Sequence, residues 1–278
     1  MKFGRSTWLI AALAAGLFFL YVPIASMIIF SFNASRLVTV WGGFSAKWYG
    51  ELLGDHQMLG AAGLSFEIAT VTATCAVVLG TLAALALARF TRFRGRTLLS
   101  GMVTAPLVMP EVITGLSLLL LFVALEPLPL MPQTRGFSTI VIAHVTLTLS
   151  YVTIVVRSRL ATMDGSLEEA AMDLGARPTK VFMVVTLPII IPAVASGWLL
   201  AFTLSLDDLV IASFTAGPST NTLPMVIFSK VRLGVTPEIN ALATIMVAIV
   251  TVFVIFAGVL MSRQARARER DIRLAQAV

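Results

Sequence analysis

Six apolar runs, each long enough to cross the hydrocarbon core of a bilayer, leave this chain few ways to fold. A spanning helix needs about 20 apolar residues at about 1.5 Å of rise each. The runs cover residues 8–32, 61–88, 98–125, 137–157, 189–216 and 239–262. In lipid each backbone N–H and C=O must be satisfied within its own segment, so runs of this length read as helices. The expected fold is an all-α membrane protein with six transmembrane helices in a single domain, residues 1–278. Composition agrees: 58% of the 278 residues are hydrophobic and 12% are charged, whereas a soluble domain is about a quarter charged. The first run follows Lys2 and Arg5, as a secretory signal does. Its 25 residues exceed the usual signal core of about 7 to 15, so it is read as a true span.

A formal net charge of +6 raises the question of nucleic acid, but the basic residues are scattered between the apolar runs, as in membrane loops. Counted on alternate sides of six spans, Lys and Arg divide fifteen to five, the larger share falling on the side of both termini. The positive-inside rule then puts both termini in the cytoplasm. Cys75 is the only cysteine, which excludes an intrachain disulfide and a cysteine zinc cluster.

The outer connection between the first two runs carries Trp41, Phe44, Trp48 and Tyr49, aromatics suited to an interfacial belt, and a short surface helix is expected near FSAKWYGELL. In the second run Ala76, Gly80, Ala84 and Ala88 recur every fourth residue. That spacing puts small side chains on one face, where another helix of the chain or of a partner can approach closely.

Between the fourth and fifth runs, residues 164–188 are too polar for lipid and too patterned for a plain loop. Ser166 with Glu169 three residues on has the form of a capping box. Gly175 offers a left-handed helix end, Pro178 fits the first turn of a second helix, and Leu187–Pro188 and Pro192 interrupt the return into the bilayer. Two short helices joined by a turn suit either a rigid docking knob or a well-capped connector.

The stretch EEAAMDLGARPTKVFMVVTLPIIIPAV, residues 168–194, resembles the EAA motif of binding-protein-dependent ABC importer permeases: Glu169, Ala170, Ala171, then Gly175, then Leu187 and Pro188. LVTVWGGFSAKWYGELL, TAPLVMPEVITGLSLLLLFVAL, SLDDLVIASFTAGP and TPEINALAT are similar to the permeases of putrescine and spermidine importers, the putrescine type above all. The resemblance spans nearly the whole chain. It implies the type I importer permease fold, a bacterial inner membrane location, and a coupling surface at Glu169 and Gly175 that seats in a groove of a separate ATPase. It also implies a second, different permease subunit, two ATPase subunits that bind ATP and Mg, and a periplasmic polyamine-binding protein. No phosphate loop of the form G-x-x-x-x-G-K-[ST] occurs, and GARPTK at 175–180 lacks its second glycine and its hydroxyl residue. This chain is therefore expected to bind no cofactor and hydrolyse no ATP, and no nucleic acid partner is expected.

Four acids lie inside apolar runs: Glu67, Glu111, Asp207 and Asp208. An ionised acid at a helix centre costs about 2.5 to 3.5 kcal/mol on insertion scales and usually faces a bundle interior or aqueous cavity. Counted from the run ends, Glu111 lies about 20 Å from the cytoplasmic side, the aspartates about 24 to 26 Å, and Glu67 about 9 Å below the outer end. Pro106 and Pro110 cannot donate to the carbonyls of Met102 and Pro106, so acceptors gather near Glu111. An alkyl ammonium, with up to three N–H donors and a positive charge, satisfies carboxylate and carbonyl alike. All four acids are thus candidates for a cation path, and for each the alternative is an interhelical bond, with His144 among the available partners. Adjacent helical residues point about 100° apart, so either one aspartate faces the path or a local break turns both. Trp198 and Phe214 read as packing or belt residues rather than as a stacking cage for a substrate. A stand-alone transporter or channel for organic cations would use the same acids without the two-helix insertion. A membrane enzyme would need a catalytic or metal set that His56 and His144, far apart in the chain, do not supply.

Overall fold

The apolar runs form helices close to where the sequence places them, but two of them break. In the computed structural model, residues 7–255 are described apart from 38–39, 91, 129–131, 133, 235–236 and 253–254. The helices are α1 (Thr7–Ser31), α2 (Lys47–Gly54), α3 (His56–Arg89), α4 (Arg96–Val108), α5 (Glu111–Leu125), α6 (Phe137–Ala161), α7 (Ser166–Asp173), α8 (Pro178–Val181), α9 (Leu187–Leu206), α10 (Val210–Thr215), α11 (Leu223–Leu233) and α12 (Pro237–Val252). A π-helical turn, Phe182–Thr186, joins α8 to α9.

Among the described residues four helices are long and apolar enough to cross a membrane, and α4 with α5 makes a fifth if the bent pair is one span. The run 98–125, expected as one continuous helix, turns by 120° between α4 and α5. The cause is local. Met109 precedes Pro110, a position from which helical geometry is sterically disfavoured, and it is extended at φ −77°, ψ 137°. The run 189–216 likewise stops at Leu206 and resumes at Val210. Of the run 239–262, α12 covers the part to Val252, and residues 253–254 and 256–262 lie outside the described residues.

The chain divides into two units, residues 1–56 with 229–278, and residues 57–228. In the second unit α6 is the central element. Ala73, Ala76 and Ala84 of α3 pack with Val152, Val156 and Leu160 of α6 and Ile190 and Ala201 of α9. Gly80 lies so close to α6 that a Cβ there would sit 2.8 Å from Val152 Cγ1. The small-residue stripe is thus a packing face within the chain. In a bilayer burial from water does not drive helices together, so close van der Waals approach over such faces carries the association. Phe122 of α5, Ala143 and Leu147 of α6 and Ile211 of α10 form a second cluster. Polar ties also join separate elements: for example, Thr139 Oγ1 donates to the Thr215 carbonyl at 2.7 Å, and Leu223 N donates to Ser65 Oγ at 2.7 Å.

The first unit corrects the aromatic-belt expectation for two residues. The short helix is present as α2, but Trp48 is only 2% exposed, and its Nε1 donates to the Asn33 carbonyl at 2.6 Å. Tyr49 Oη is 2.7 Å from Ser31 Oγ, and Phe32 stacks on Phe44 at 5.3 Å. Trp41 and Phe44 remain exposed. At the centre is buried Asn33, whose Nδ2 donates to the Val40 carbonyl at 2.7 Å while Oδ1 accepts from Gly42 N at 2.7 Å and Ser35 N at 3.1 Å. A buried donor or acceptor left unpaired costs about 1–3 kcal/mol. Asn33→Leu, which strands several such groups, is therefore expected to open the loop and raise its protease sensitivity at least several-fold. Cleavage at the wild-type rate would show that the Asn33 network is dispensable.

Candidate functional site

Two sets of polar residues in the second unit stand out: the intramembrane acids and the segment 164–188. The acids divide by burial. Glu67, Glu111 and Asp207 are exposed and Asp208 is buried. Glu111 opens α5 directly after the bend, with Pro110 at the cap position. A carboxylate in a first turn faces the positive end of the helix dipole, so the bend sets the Glu111 charge at the start of α5, while the Met102 carbonyl lies well inside α4. The Pro110 carbonyl itself accepts from Ile113 N at 3.0 Å and Thr114 N at 3.1 Å.

The break at 207–209 separates the two aspartates. Asp207 is the C-cap of α9, its N–H donating to the Thr203 carbonyl at 3.2 Å, and its side chain is exposed. Asp208 turns the other way: its Oδ1 accepts from Ala212 N at 2.7 Å, one turn into α10, and lies 3.2 Å from His144 Nε2. That histidine contact is close but off the hydrogen-bond axis. His144 Nδ1 meets Ser205 Oγ at 2.7 Å. His144, which the sequence offers as a partner for any of the acids, is thus brought to Asp208 and linked to Ser205. Trp198 stacks on Phe202 at 5.2 Å and donates to Thr74 Oγ1 at 3.2 Å, and Phe214 packs against Gly115; both are packing residues.

In the segment 164–188, α7 begins at Ser166 without the expected capping box, since no side chain caps its first turn from the N-cap position. Asp164 does that work from outside the helix: its Oδ1 accepts from Ser166 N at 3.0 Å, an Asx turn. The Ser166 backbone N–H and, to a lesser degree, its hydroxyl hold the Asp164 carboxyl below the usual carboxylate range. The helix ends as expected. Gly175 has φ +83°, Ala176 N donates to the Ala171 carbonyl at 3.1 Å and Gly175 N to the Met172 carbonyl at 2.8 Å, the paired bonds of a Schellman motif. The distance from Ala171 to Gly175 in the motif is therefore the length of this helix stop.

Pro178 starts α8. Pro188 lacks the N–H that Val184 would receive in an α-helix and its ring crowds that carbonyl. The chain widens there, and Leu187 N donates five residues back to Phe182. On α7, Glu169 and Ala170 are exposed and Ala171 is half-buried, and Leu174, the C-cap, is 90% exposed. Sequence reasoning missed Glu168. Its Oε2 lies 3.0 Å from Arg89 Nε at the end of α3, and its Oε1 accepts from the Thr186 hydroxyl at 2.6 Å. Glu-Glu at the head of the motif was the only signal, and it does not say which acid turns inward.

The family model described as "Binding-protein-dependent transport system inner membrane component" matches residues 76–270. The chain is 58% identical over 272 residues, 98% of its length and 97% of the relative's, to the putrescine transport system permease protein PotI of Escherichia coli (strain K12). It is 40% identical over 255 residues, 92% and 94% of the two chains, to the spermidine/putrescine transport system permease protein PotC of the same strain. In fold it is similar to a chain of a bacterial ABC transporter involved in the import of the acidic polysaccharide alginate, at a TM-score of 0.69 and 18% identity over 94% of this chain and 98% of that one. That likeness concerns the fold alone.

Proposed function

Because the chain belongs to the family of binding-protein-dependent transport system inner membrane components, we propose that it is one membrane subunit of an ATP-driven polyamine importer, with putrescine as the foremost substrate. The observation that carries the substrate is the near-full-length identity with PotI. In this reading the chain crosses the bacterial inner membrane six times with both termini in the cytoplasm, the last crossing built on α12. It pairs with a second, different permease.

The exposed face of α7, with Glu169 and Leu174, seats on one of two ATPase subunits, which bind ATP and Mg. A periplasmic binding protein delivers the substrate. Asp207, Glu111 and Glu67 are exposed and offer carboxylates to the two ammonium groups of a diamine. Asp208 contributes to the same path by shaping the break that exposes Asp207. Such a site has to stay weak, since a tight midplane site would hold the cargo it must release.

The test is uptake of labelled putrescine by cells lacking their own polyamine importers and supplied with the full importer containing this chain. Uptake that depends on ATP and on the binding protein is expected. Transport by the purified chain alone, without nucleotide, would favour the stand-alone transporter instead. Glu169→Lys reverses a charge on the docking face and is expected to reduce uptake about tenfold or more, within the usual range of coupling free energies, while ATP hydrolysis continues. Normal uptake by that variant would remove Glu169 from the interface.

A further inference from the structure

The helix α7 has little apolar hold on the rest of the chain. None of its residues is buried, and at eight residues it is too short to be stable by itself. Among the described residues, its polar side-chain ties to α3 and to the base of α9 come from one residue. Glu168 divides its two oxygens between separate elements: Oε2 forms an ion pair with Arg89 Nε of α3 at 3.0 Å, off the hydrogen-bond axis, and Oε1 accepts a hydrogen bond from the Thr186 hydroxyl at 2.6 Å. The carboxylate and guanidinium are 17% and 29% exposed, more sheltered than a solvated surface pair, whose worth is small. A bond from a hydroxyl to a charged carboxylate is among the stronger hydrogen bonds.

The placement of Thr186 follows from the motif. It is the last residue of the π turn, directly ahead of Leu187–Pro188, and it is buried at 2% exposure. An α-helix run through this point would advance about 100° per residue. The π turn inserts an extra residue and shifts that phase, and Thr186 meets Glu168 as a result. Leu187–Pro188 in this family pattern therefore has a mechanical role: Pro188 forces the wide turn that presents Thr186 to α7. Around the α7 axis, Glu168 and Glu169 point about 100° apart, one inward to the chain's own helices and one outward.

We infer that Glu168 is the positioning residue through which α7 moves the membrane helices, tying the coupling helix at once to the cytoplasmic end of α3 and to the base of α9. The inference rests on the importer reading above. A push on the exposed face of α7 then reaches α3 through Arg89 and α9 through Thr186. Glu169 receives the force and Glu168 delivers it.

The experiment uses the complete importer in proteoliposomes, with partner permease, ATPase subunits and binding protein, and reads putrescine transported per ATP hydrolysed. Because it is a ratio per assembled complex, it does not move with expression level. Glu168→Gln is expected to lower it on the order of tenfold, within the span of coupling between sites. Thr186→Val, which changes one hydroxyl to a methyl, is expected to lower it less, and Thr186→Ser to restore it. Exchanging the charges in the Arg89→Glu, Glu168→Arg double variant is expected to recover part of the loss. An unchanged ratio in both Glu168→Gln and Thr186→Val, with a wild-type complex that couples uptake to hydrolysis, overturns this inference alone. A wild-type complex whose uptake ignores nucleotide overturns the importer reading itself.

Discussion

A leucine at position 80 is expected to remove most folded chain from the membrane. A Cβ on Gly80 would lie 2.8 Å from Val152 Cγ1, 2.9 Å from Val152 Cβ and 3.2 Å from the Leu149 carbonyl oxygen. The last of these is backbone and cannot rotate away. Val152 is itself fully buried among α3, α6 and α9, and the Cγ1 that faces Gly80 also faces Gly197 of α9, so a large side chain cannot be accommodated by moving Val152 alone. Leucine therefore has to force α3 and α6 apart and open the cluster that holds α9 as well. Overpacking a close-packed site costs about 1–3 kcal/mol, occasionally more, which is a large part of a typical net stability.

The expected result is a loss of about tenfold in monodisperse chain recovered from detergent-solubilised membranes, with Gly80→Ala much milder. Val152→Ala should rescue part of the Gly80→Ala defect, giving a non-additive double-mutant cycle, as contacting residues do. Recovery of Gly80→Leu at wild-type yield and thermal stability would mean that α3 and α6 do not meet at this point.

The two adjacent aspartates are expected to fail in different ways. Asp207→Asn removes a charge from an exposed side chain and should leave the amount of assembled permease unchanged. Its effect should fall on putrescine uptake, lowered about tenfold or more if one charge-assisted bond of about 1.5–3 kcal/mol to the passing ammonium is lost. Asp208→Leu removes the acceptor of Ala212 N and the charge beside His144. It should lower the amount of assembled chain and the uptake together, because it strands buried groups around a helix break. The paired measurement is uptake per permease detected in the membrane. Normal uptake by Asp207→Asn would withdraw it from the cation path, and a reduced uptake by Asp208→Leu at full assembly would make Asp208 the contacting acid.

Much of this molecule was legible in the order of its residues. Apolar runs of spanning length set the helices, because a segment in lipid has to satisfy its own backbone. The stop after α7 was legible as Gly175 because only a few residues take positive φ at low cost. These are local constraints, acting across a turn or less, and they survive in one dimension. The bend before Glu111 was not legible: Pro106 and Pro110 showed missing donors, but the run 98–125 read as one continuous span, and it turns by 120°.

What only the tertiary structure decided involves groups far apart along the chain. Arg89 meets Glu168, Asp208 meets His144, and Trp48 folds back on Asn33. No periodicity encodes those meetings, since each depends on how whole helices are packed before a side chain can find its partner. For the same reason two neighbouring acids, identical on paper at 207 and 208 and again at 168 and 169, come to face opposite ways. Sequence supplied the charges; packing chose which of them stay free.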